Sequence, residues 1–120
     1  MKIKFQGKIL SIDKAVVEMP FPIQQLLLIG EKAFVRVDSD ALVKVGDHSL
    51  NRNVYAFDKK DNQLWQIQES SHGGTDNPKP YMELHDIAGK LVAYNWIGVE
   101  YVVDLNIGTV QPHATGKRPW

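Results

Sequence analysis

Short apolar runs broken by polar punctuation recur along the chain, and their period is two rather than three or four. Runs rich in Val, Ile, Leu, Phe and Tyr alternate with Gly, Asn, Asp and Pro, the pattern of an antiparallel meander. It predicts strands over 3–5, 9–12, 16–18, 25–29, 34–37, 43–45, 54–57, 64–68, 81–85, 91–95, 99–103 and 109–111. No useful window places apolar residues at i, i+3, i+4 and i+7. The best rival for a helix, 23–29, is fenced by Pro22 and Gly30 and is too short to stand alone. The expected fold class is therefore all-β, with little or no helix. Its form is an antiparallel β-meander built from hairpins, arranged as blade-like sheets or as a small sandwich or partial barrel.

Three hairpins are marked. Gly30-Glu31 separates 26–29 from 34–37, residues 58–62 separate 54–57 from 64–68, and Trp96-Ile97-Gly98 separates 91–95 from 99–103. In the second, pairing Asp58 with Gln63 places Val54, Ala56, Trp65 and Ile67 on one face and Tyr55, Phe57, Leu64 and Gln66 on the other. Trp65 is then a core anchor. The third hairpin admits a two-residue turn, which strains the β-branched Ile97, or a three-residue turn with Gly98 in the left-handed position. The choice decides which way Trp96 points. One long connection, 70–80, holds two glycines and two of the prolines and no apolar residue, a composition suited to a functional or a mobile loop.

A recurring feature runs through three segments. Lys32-Ala33-Phe34-Val35-Arg36-Val37-Asp38, Asn53-Val54-Tyr55-Ala56-Phe57-Asp58 and Glu100-Tyr101-Val102-Val103-Asp104 each end a strand with Asp before a turn. Val54-Tyr55-Ala56-Phe57-Asp58, followed by Asn62 and Trp65, resembles the outer strands of a quinoprotein-type β-propeller blade. The resemblance covers about a third of the chain and implies blade-like meanders; it carries no implication of a quinone cofactor. The Asp-to-Asp spacings, 20 and then 46, are irregular and the chain is short, which excludes a full propeller.

Size and charge narrow the function. The 120 residues support a single all-β domain spanning 1–120. Absence of cysteine removes disulfides and thiolate metal sites. Charges and a glycine interrupt the amino-terminal apolar residues, and the longest apolar stretch is too short to cross a bilayer, so a soluble cytoplasmic protein with no membrane partner is expected. Net charge is zero but unevenly spread: residues 1–60 carry ten Lys/Arg against seven Asp/Glu, and 61–104 carry two against seven. The acidic middle repels a phosphate backbone and attracts a basic protein surface, so no direct nucleic-acid binding is expected.

Catalytic chemistry needs convergent groups. His48, His72, His85 and His113 show no metal-ligand spacing, and no phosphate loop or nucleophile elbow is present. His48 and His85 could still meet in space as an acid–base pair of a small metal-independent enzyme, a nuclease or a cyclase. The expectation is no enzyme, no cofactor and no metal. Binding features are stronger, because Tyr81, Tyr94 and Trp96 lie in or beside the acidic section, and such aromatics favour interfaces or a sheet core.

Leu91-Val92-Ala93-Tyr94-Asn95-Trp96-Ile97-Gly98-Val99-Glu100-Tyr101 and the closing Gly116-Lys117-Arg118-Pro119-Trp120 are similar to segments of small β-rich immunity proteins of bacterial contact-dependent growth inhibition systems. The similarity covers about a quarter of the chain and rests on no diagnostic motif. It implies a stoichiometric inhibitor that occludes the active site of a cognate toxin domain, basic and nuclease-like. The residues expected at the partner are Glu69, Asp76, Tyr81, Glu83, Asp86, Trp96 and Glu100. The competing readings are the His48/His85 enzyme and a ligand-binding β module.

Overall fold

The computed structural model describes residues 2–38, 52–68, 80–95 and 99–112. Within them every regular element is a strand: β1 (Ile3–Gln6), β2 (Ile9–Ile12), β3 (Ala15–Glu18), β4 (Ile23–Ile29), β5 (Lys32–Val37), β6 (Val54–Phe57), β7 (Gln63–Gln66), β8 (Tyr81–Ile87), β9 (Lys90–Asn95), β10 (Glu100–Val103) and β11 (Val110–Pro112). Among the described residues, no helix is long and apolar enough to cross a membrane. The strands form three antiparallel meanders in chain order, β1-β2-β3, β4-β5-β6-β7 and β8-β9-β10-β11. The all-β, blade-like expectation holds. The strand expected over 43–45 lies outside the described residues.

The sheets pack face to face, with the second in the middle. Its central strand β5 therefore buries both faces. Phe34 enters one core with Val54, Ala56, Trp65 and Ile67 of its own sheet and Tyr81, Leu84, Leu91, Ala93, Tyr101 and Val103 of the third. Ala33, Val35 and Val37 point the other way, into a second core with Leu10, Ile12, Met19, Ile23 and Phe57. An apolar run without strict alternation is what a doubly covered strand requires. Phe34, fully buried, contributes about 1.5–3 kcal/mol through that burial.

The hairpin after β6 keeps the expected pairs Ala56↔Trp65 and Tyr55↔Gln66, but Phe57 faces Gln63 through a bulge. Asp58 shapes this turn: its Oδ1 accepts the Lys60 and Asn62 amides at 2.8 and 3.0 Å, and its Oδ2 accepts the Asn62 side-chain amide at 3.1 Å. Asp104 repeats the device, accepting the Asn106 and Ile107 amides. Thus the recurring strand-ending Asp is a turn former at both of these positions. The third hairpin also resolves its length. The Asn95 N–H donates to Val99 O at 3.1 Å, which leaves three residues between the paired positions.

Sheets two and three are joined by polar side chains as well as by the core. A bulge between Tyr81 and Glu83 shifts the register of β8. Residues three apart normally turn their peptide groups to opposite strand edges; the bulge lets Tyr81 and Leu84 share one. Two side-chain amides satisfy that edge. Asn53 Oδ1 accepts Tyr81 N–H at 2.9 Å, while its Nδ2 donates to Tyr81 O at 2.8 Å and Val37 O at 3.1 Å. Gln25 Oε1 accepts Leu84 N–H at 2.9 Å and its Nε2 donates to Leu84 O at 2.8 Å. Each amide copies the hydrogen-bond pattern of a neighbouring strand.

Candidate partner-binding face

The outer face of the third sheet follows from its register. Glu83 pairs with Tyr94, and Tyr94 with Glu100, so one row across β8, β9 and β10 reads Glu83, Tyr94, Glu100. The neighbouring row reads His85, Val92, Val102, Gln111. Their inward counterparts Leu84, Ala93 and Tyr101 fill the core. Two strand spacings set the two carboxylate-bearing backbones about 10 Å apart, with the tyrosine between them.

The β8 side of this face is open to solvent. The side chains of Glu83 and His85 are 63% and 46% exposed, and His85 Nε2 lies 3.5 Å from Glu83 Oε2. The His85 and Tyr94 rings meet edge to face at 5.1 Å. A contact this exposed adds little stability, and Glu83 stays accessible to solvent. Tyr94, Val102 and Glu100 are half-buried and Val92 is buried. The face thus sets the half-buried Tyr94 and Val102 beside the acidic Glu83 and Glu100.

The remaining expected residues fall differently. Asp86 pairs with Leu91, whose side chain enters the core, so Asp86 lies on the opposite side of β8 from Glu83. Its Oδ1 accepts the Gly89 amide at 2.9 Å, closing the turn in which Ala88 and Gly89 both have positive φ. That carboxylate is occupied by turn formation. Tyr81 requires a correction. It is fully buried, its ring packs edge to face on Tyr101 at 5.9 Å, and its hydroxyl donates to Gln68 O at 2.8 Å. It offers no area to a partner. Glu69, Asp76 and Trp96 lie outside the described residues, as do His48, His72 and His113.

Other chemistry is sparse. Among the described residues, no group of three or more His, Cys, Asp or Glu is placed to hold a metal ion. A cavity of about 50 Å³ opens between sheets two and three, lined by Arg36, Asp38, Asn53, Pro80, Tyr81 and Met82 among others. Its volume suits a few waters and no metabolite. Burial pushes the Tyr55 phenol above its ordinary value, against a smaller opposing pull from Arg52. Hydrogen bonds from the Asn62 side chain, and then from backbone amides, hold the Asp58 carboxyl below the usual range. Both effects belong to the fold. Neither group lies on the face described above.

The sequence pointed to Glu83 and Glu100 but not to Tyr94 as the residue they flank. Strand alternation could have found that row once Glu100 was paired with Tyr94, yet the pairing depends on the hairpin length that sequence left open.

Residues 1–115 match the family model described as a domain of unknown function, DUF7957. No curated protein matches the chain, and no solved structure does. With nearly the whole chain covered by that model, the protein belongs to the DUF7957 family.

Proposed function

We propose that this chain is an immunity-type binding protein that neutralises a cognate toxin domain, basic and nuclease-like, by covering its active site in the cytoplasm. The observation that carries the reading is the row Glu83, Tyr94, Glu100 on the outer face of the third sheet. Two glutamates on backbones about 10 Å apart, with a tyrosine between them, complement a surface built to hold phosphates with Lys and Arg. The charges accelerate encounter and exclude wrong partners, and the half-buried centre supplies contact area. Inhibition is stoichiometric and uses no cofactor. Co-expression with the toxin domain encoded beside the chain tests this: growth is restored by the wild type and not by Glu83→Lys/Glu100→Lys. Failure of the wild type to restore growth contradicts the proposal.

A second reading rests on His85, which Glu83 approaches at 3.5 Å as an orienting carboxylate would. It makes the chain a small metal-independent enzyme, a nuclease or a cyclase, with His48 as the second group. RNA turnover that disappears in His85→Ala and His48→Ala would establish it in place of the binding role.

A further inference from the structure

We draw no further inference here: the strongest candidate, the outer face of the first sheet, where Ile9 and Val16 stand exposed on the same side as Lys4, is an unpartnered apolar face and nothing in the structure shows what covers it.

Discussion

Trp65 and Gly108 meet across the junction of the second and third sheets, and each constrains the other. The indole Nε1 donates to Leu105 O at 2.9 Å, and the ring lies flush on Gly108, where a Cβ would stand 2.6 Å from Trp65 Cε3. Gly108 also has φ of 78°. Gly108→Ala therefore suffers both overpacking and backbone strain, and a loss of about 2–4 kcal/mol is expected in chemical denaturation. Trp65→Ala costs about 3–5 kcal/mol through its cavity. Because the clash needs the ring, the double variant loses less than the two single losses together. The sequence marked Trp65 as core through strand alternation alone. It gave no sign of Gly108, since its partner is distant along the chain and a turn glycine has many uses.

Asp58 supplies a pH test at the same scale. Its folded-state pKa is depressed, so its contribution is present above the unfolded value, about 3.9, and is lost as pH falls through the folded value below that. Asp58→Asn should therefore be less stable than wild type at neutral pH, with the gap closing below about pH 4. A gap that stays constant between neutral and acid pH contradicts this role.

At the scale of elements, the alternation of apolar and polar residues located the strands and even two cross-strand pairs of the β6–β7 hairpin. Bulges set the limit. One at the end of that hairpin pairs Phe57 with Gln63 in place of Leu64, and another in β8 reverses the alternation that would show Tyr81 as buried. The amide clamps were equally hidden. Gln25 and Asn53 read as ordinary polar residues, and their roles depend on strand β8, which only the tertiary fold brings near. Asn53→Ala leaves the Tyr81 N–H and two carbonyls without this partner inside the protein. Its expected cost is about 2–4 kcal/mol, from unsatisfied buried groups at about 1–3 kcal/mol each with partial relaxation. Hydrogen exchange should show the Tyr81 amide losing protection before the amides of β5. Gln25→Ala exposes Leu84 in the same way but costs less, because Gln25 is only half-buried.

For the whole molecule, stacking three meanders leaves the second sheet covered on both sides and each outer sheet with one outward face. The acidic bias of the middle of the sequence appears on one of these faces as Glu83 and Glu100, while Asp86 is diverted to a turn. Charge counting could not separate those cases, because strand parity and turn geometry decide them. Glu83→Lys, at a side chain 63% exposed and away from both cores, should change stability by no more than about 0.5 kcal/mol. Under the proposed function, the effect of both charge reversals, Glu83→Lys and Glu100→Lys, is on binding. On that reading, association with a basic partner should also slow as salt rises from low to physiological concentration, through screening of Glu83 and Glu100.

Isothermal titration calorimetry of the chain against the proposed toxin partner tests the interaction directly. The account predicts a one-to-one complex, weakened roughly a hundredfold by Glu83→Lys/Glu100→Lys, since like charges facing each other across an interface cost several kcal/mol. No heat of binding with the wild type, or equal affinity for the charge-reversed and wild-type chains, would contradict it.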